Sequence, residues 1–351
     1  MSLQAGLVGL PNVGKSTLFN ALLSRQVADA ANYPFCTIEP NVGVVEVPDE
    51  RLRVLADITK TTNLVPAAIE FVDIAGLVEG AHKGEGLGNK FLSHIREVDV
   101  LIFVLRNFHD ENIARAGSQD PQNDLQILET ELQLADLQTL ERQKEPRGNF
   151  SKEDGYRWQA VGKIRPVLED GGNARDVTLT EDEEKEVKSF GLLTRKKAIV
   201  VLNSDEESVA ASSEPVHGYD TIRLCAKLEA EMSGMAISER QELLQAYGIS
   251  EPGLNTLIKT TYATLGLMTF LTAGEKEVRA WPIPQGTKAP QAAGTIHTDF
   301  EKGFVKAKIT SFDDFVACNG WLGVKEAGKI RMEGKEYVMR EGDVVEFMVN
   351  S

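Results

Sequence analysis

Cysteine is scarce. Three occur in 351 residues, Cys36, Cys225 and Cys318, and no two form a C-x-x-C pair. That excludes a disulfide framework and a cysteine zinc site, and it fits a reducing compartment, so a cytoplasmic location is expected. Long hydrophobic runs are missing too. No apolar stretch approaches the roughly 20 residues needed to cross a bilayer, and MSLQAGLVGL has neither a basic leading region nor a cleavage site. No membrane partner is expected. Positive charge is in short supply, with 38 Lys and Arg against 53 Asp and Glu and a net charge of −15. General electrostatic attraction to nucleic acid is thereby disfavoured, and no sequence-specific DNA partner is expected. Internal repeats and low-complexity tracts are absent.

What the chain does have is GLPNVGKST at 9–17. Gly9, four residues, then Gly14-Lys15-Ser16 fits the phosphate-binding loop G-x-x-x-x-G-K-[ST]. Glycines let backbone amides converge on a phosphate, here those around Asn12, Val13, Gly14 and Thr17. Lys15 brings a point charge to the β- and γ-phosphates, and the Ser16 hydroxyl suits Mg²⁺. The flanking AGLVGL and STLFNALLS supply the strand and the helix that the motif requires, with the positive helix end facing the anion.

Further short apolar runs, VGVVEV, AAIEFVDIAG and DVLIFVLR, alternate with helical stretches over residues 3–110, which indicates an α/β fold. After Pro121 the Leu-rich segment 123–143 sets Leu125, Leu128, Leu132 and Ala135 at coiled-coil-like spacing, and 156–169 reads as a returning helix. AIVVLN at 198–203 brings the chain back to the sheet. From Thr272 onward, short strands and Gly/Pro turns predict a compact β-rich domain. The expected organisation is a nucleotide domain in two parts, 1–121 and 196–265, interrupted by a helical hairpin domain over 122–195 and followed by a small domain over 266–351.

Three stretches narrow the class. Asp73-Ile74-Ala75-Gly76 matches D-x-x-G, in which the Asp holds Mg²⁺ through water and the Gly76 amide meets the γ-phosphate. Thr37, within ANYPFCTIEPN, is a candidate second ligand for Mg²⁺. Together they favour a GTPase-type fold. Where GTPases have N-K-x-D, this chain has Asn203-Ser204-Asp205-Glu206. The lysine stem is lost and the carboxylate is one methylene longer, which weakens guanine recognition by about 1–3 kcal/mol. The Asn203 amide is a candidate for pairing with adenine N6 and N7. Cys225-Ala226-Lys227 stands where a related loop backs the base.

These stretches, with GLPNVGKSTLFNAL, DIAGLVEGAHKGEGLGNKFLSHIREVD, C-A-K-x-E-A-E and AGEKEVRAWPIPQGTKAPQAAGTIHTDFEKGF, resemble the Obg-like ATPase (YchF) family over residues 3–349. The resemblance implies a Ras-like P-loop G domain, an inserted helical hairpin and a C-terminal TGS domain of β-grasp, ubiquitin-like form. It also implies ATP preferred over GTP, with Asn203, Ser204 and Glu206 at the base, and association with the ribosome through its large subunit or as a whole. The hairpin is short against the family pattern. Ser204 stands where the family usually has an apolar residue, which predicts looser packing on adenine.

The catalytic group is not assigned by sequence. Leu77 occupies the position at which Ras-like enzymes place a water-orienting Gln, so slow hydrolysis without a stimulating partner is expected. Asn12 is a candidate for placing K⁺ beside the phosphates, and Arg115 stands where many family members carry a mobile-loop His. The leading expectation is an ATP-hydrolysing switch in which Mg²⁺–ATP orders residues 31–41 and 76–90, serving translation or stress regulation. An Obg-type GTPase and a nucleotide-gated scaffold with negligible turnover are the rivals. Lys288, Lys302, Lys306 and Lys308 are a candidate stripe for ribosomal phosphates.

Overall fold

Continuous runs of β-branched and aliphatic residues build the centre of the first sheet. In β5 (Val100–Asn107) and β6 (Lys197–Ser204) the side chains from Val100 to Leu105 and from Ile199 to Val201 are at most 1% exposed, as strands covered on both faces require. The computed structural model describes residues 3–29, 41–74, 87–110, 117, 120–146, 148, 150–211 and 214–350. Two compact units emerge, one of residues 1–25, 38–43 and 70–256, the other of residues 26–37, 44–69 and 257–351. Of residues 44–69, which the sequence reading placed within the nucleotide domain, the ends lie in strands of the first unit's sheet and the stretch between those strands groups with the C-terminal segment.

The sheet of the first unit also contains β1 (Gln4–Val8), β2 (Val42–Glu46), β4 (Ala68–Asp73) and β7 (Thr221–Leu224), in the order β2-β4-β1-β5-β6-β7. β1 pairs in parallel with β4 (Ala5↔Phe71) and with β5 (Ala5↔Val100), and β5–β6 and β6–β7 are parallel as well. Loops leaving the carboxyl ends of such strands form the usual ligand crevice of an open α/β sheet, where the strand order reverses.

Between β5 and β6 the chain forms the expected helical pair. The first helix, Pro121–Glu141, starts at Asp120, whose side chain accepts from the Gln122 amide, and Pro121 fits the first turn because its missing N–H needs no partner there. The second runs Lys152–Glu169, four residues earlier than the apolar pattern predicts, because Ser151 caps it by accepting from the Asp154 amide at 3.1 Å. Leu140 packs with Ala160, Val161, Ile164 and Leu168. Asp136 fastens the first helix to the turn before β6: fully buried, it accepts from the Leu193 and Thr194 amides at 2.8 Å each and from Thr194 Oγ1 at 2.6 Å. Burial pushes its carboxyl pKa up, and these three donors oppose that rise.

The second unit has β8 (Leu267–Ala273), β9 (Val278–Pro284), β10 (Phe304–Ser311), β11 (Arg331–Glu333) and β12 (Asp343–Val349), with the short β3 (Leu64–Val65) added at the β9 edge. The order β9-β8-β12-β10-β11, with β12 parallel to β8 and the helix Ala289–Ile296 between β9 and β10, is the expected β-grasp. Ala289, Ala292 and Ala293 bring that helix close to Phe270, Ile283, Ala307 and Ile309 in its core. β3 pairs in parallel with β9, Leu64↔Val278, and Arg51 bridges Asp49 and Glu341, which accounts for the grouping of 44–69 with this unit.

Candidate nucleotide-binding site

The carboxyl ends of β1, β5, β6 and β7 surround a cleft of about 1080 Å³. It is lined by Leu10–Asn12 and Gly14–Thr17 after β1, Phe108–Asp110 after β5, Asn203–Ser208 at and after the end of β6, and Cys225–Lys227 after β7. The loop after β1 turns through left-handed backbone at Asn12 (φ 62°) and Gly14 (φ 89°). Gly14 has a second reason to be glycine, since a Cβ there would overlap the amide nitrogen of Asn203. At Gly9 a Cβ would sit 2.7 Å from the Val104 carbonyl oxygen, so the loop can lie this close to β5 only without a side chain.

Lys15 opens the helix Lys15–Asp29 and forms an ion pair with Asp73 at the end of β4, and the Ser16 hydroxyl donates to the same carboxylate at 3.3 Å. Lys15, Ser16 and Asp73, separated by 57 residues and more in sequence, are thus one cluster. The oxygen donors of Ser16 and Asp73 beside a helix N-terminus fit a hard cation such as Mg²⁺.

Asn203 is 5% exposed and joins two loops. Its Nδ2 donates to the Val13 carbonyl and its Oδ1 accepts from the Ala226 amide, both at 2.9 Å. Asn203 thus holds the phosphate loop against the loop after β7, at the edge of the cleft. Ser204 is 1% exposed, and its Oγ accepts from Asn107 at 2.9 Å and Arg223 at 3.2 Å. Glu206 stands at the mouth of the loop after β6. Its Oε1 accepts from Lys227 Nζ and its Oε2 from the Tyr247 hydroxyl, each at 2.9 Å, and these bonds, Lys227 first, lower its pKa and keep it ionised.

Thr37, Gly76, Leu77 and Arg115 lie outside the described residues, as does most of 31–41 and 76–90. Among the lysines proposed to meet phosphate, Lys288 is paired with Glu336 and Lys308 with Glu346, so a four-lysine stripe is not present as unopposed charge. The sequence reading missed Tyr247, which reaches Glu206 from 41 residues away, and the Arg106 guanidinium, which lies 4.4 Å from the centre of the Phe108 ring at the edge of the cleft. Neither belongs to a motif. A tyrosine at the end of an amphipathic helix carries no signal of what its hydroxyl touches.

The fold and cleft can be set beside known proteins. Residues 4–146 match the family model described as "50S ribosome-binding GTPase". Residues 267–350 match the model of the YchF-GTPase C-terminal domain, described as a protein of unknown function (DUF933). The chain is 47% identical over 366 residues to a Bacillus subtilis protein and 48% identical over 368 residues to one from Haemophilus influenzae, with 100% of both chains covered in each case; both relatives are named "Ribosome-binding ATPase YchF". The solved structure of the Schizosaccharomyces pombe YchF GTPase superposes with a TM-score of 0.88 at 36% identity, covering 99% of this chain and 98% of that one.

Proposed function

The chain belongs to the YchF family, and on that premise we propose that it is a Mg²⁺-dependent ATP-binding and ATP-hydrolysing switch that associates with ribosomes in the cytoplasm. The observation that carries the reading is the polarity of the cleft. Lys15, Ser16 and Asp73 gather at one end, and the ionised Glu206 stands at the other. The first end suits a triphosphate and the second a base that presents a hydrogen-bond donor.

Lys15, with the amides of the loop and the start of the helix, holds the phosphates and stabilises charge that spreads over the transferred phosphoryl oxygens. Ser16 and Asp73, with Thr37 as a further proposed ligand, would hold Mg²⁺, which would neutralise phosphate charge, and the Gly76 amide is proposed for the γ-phosphate. K⁺ beside Asn12 is proposed as an auxiliary cation, supported by the left-handed turn that Asn12 makes within the loop.

The nucleotide domain is proposed to comprise 1–121 and 196–265, the stretch between β2 and β4 pairing with the C-terminal segment, with a hairpin domain over 122–195 and a TGS domain over 266–351. Ribosome binding through the TGS domain rests on Lys302 and Lys306 rather than on all four lysines. No helix among the described residues is long and apolar enough to cross a membrane. Phosphate release by the purified protein, with and without ribosomes and in K⁺ or Na⁺, tests the reading. Slow turnover of ATP that ribosomes accelerate is expected. Turnover of GTP in preference to ATP contradicts it.

A further inference from the structure

Glu206 is the one carboxylate at the base end held by two side-chain donors among the described residues, and the way it is held bears on which base it accepts. A carboxylate offers about four acceptor positions, two on each oxygen. Lys227 takes one on Oε1 and Tyr247 takes one on Oε2. The tyrosine is not a loosely placed donor. Its ring packs on the cluster of Cys225, Leu228, Met232 and Leu244, and it caps the helix Ile237–Ala246 with its amide returning to the Leu243 carbonyl at 3.2 Å.

We propose that Tyr247, assisted by Lys227, is a positioning residue for base selectivity: by engaging one acceptor position on each Glu206 oxygen, the pair fixes the carboxylate and weakens both oxygens as acceptors, a loss that falls twice on a base needing both oxygens and once on a base using one. Adenine presents only its N6 amino group as donor. Guanine presents N1–H and N2–H₂ side by side and binds a carboxylate best when both oxygens are free to face it. Each Glu206 oxygen keeps an acceptor position weakened by the donor it already holds, and the lysine charge reduces further what a second base donor gains. Length alone, one methylene more than the aspartate of N-K-x-D, displaces the carboxylate; its occupancy supplies the discrimination.

This inference rests on the ATP reading above, and the test separates the two. ATP and GTP compete for a fluorescent nucleotide on the full chain with Mg²⁺, comparing wild type, Tyr247→Phe, Lys227→Met and the double variant. Tyr247→Phe keeps the ring in its cluster and removes only the hydroxyl, and Lys227 is an exposed side chain, so at least one variant retains the fold. Each single change is expected to move the affinity ratio toward GTP by about 3- to 10-fold, the worth of one hydrogen bond, and the double change to move it further. A ratio unchanged in both single variants, or equal weakening of both nucleotides, overturns the role of Tyr247 while leaving ATP binding intact. A wild type that binds no ATP overturns the proposed function itself.

Discussion

At the phosphate end of the cleft, backbone amides, Lys15 and Ser16 come from one short loop and the first turn of one helix, with Asp73 added from the end of the neighbouring β4. At the base end, Glu206, Lys227 and Tyr247 come from the loop after β6, the loop after β7 and the end of a later helix. The phosphate end recognises a charge common to all nucleotides, and a fixed backbone curl does most of that work. The base end must discriminate between edges that differ by single donors, and here it does so through side chains that restrain one another. Asn203 couples the two ends, since the same amide holds Val13 and Ala226. Apart from that shared amide the two ends use different residues, so affinity and selectivity should be separable by mutation, and three changes test that separation.

The largest effect is expected for Lys15→Ala. Loss of a charge-assisted contact to phosphate should weaken ATP and GTP alike by about 100-fold, with an unchanged circular dichroism spectrum and an unchanged ATP:GTP ratio. A ratio that shifts along with affinity would break the comparison, because the phosphate end would then be contributing to base choice.

Asp136→Ala comes next and concerns the scaffold. Removing a buried carboxylate that serves three donors should lower unfolding stability by about 1–3 kcal/mol, read by chemical denaturation. The ATP:GTP ratio should stay at the wild-type value. Should it move, selectivity would depend on how firmly the hairpin is fastened rather than on Glu206.

The smallest effect is the pH dependence of the base end. Glu206 is held below the ordinary carboxylate range, so the contribution of its pairs with Lys227 and Tyr247 is present in full above the unfolded-state pKa and is lost as pH falls through the lower folded-state value. The difference in Tm between wild type and Glu206→Gln should accordingly be flat from neutral pH to about pH 5 and close only on further acidification. A difference that closes near neutrality would place the carboxylate in another environment.

How much of this was legible in the sequence follows the same division. The clustering of Lys15, Ser16 and Asp73 was legible from motifs that set particular residue types at fixed local spacing, and the apolar runs yielded the parallel sheet, the helical pair and a compact β-rich C-terminal domain, whose β-grasp form the family resemblance implied. Asn203 was found, but not its partners within the protein. The motif shows where an amide stands, whereas only the packing shows that Val13 and Ala226 already engage it. Tyr247 was not legible, because its role depends on a contact across 41 residues and on a hydroxyl that any surface tyrosine carries. The pairing of β3 with β9 was not legible for a related reason: the register of Leu64 with Val278 is non-local, and two-residue strands leave no periodic trace.

The central claim is that the cleft is built for adenine, with a carboxylate restrained by two donors in place of a free aspartate. Competition of ATP against GTP for the wild-type protein, at saturating Mg²⁺ and fixed salt, measures it directly. The account predicts that ATP displaces the probe at about tenfold lower concentration than GTP, the order of one misplaced bidentate contact. Displacement by GTP at equal or lower concentration would contradict it.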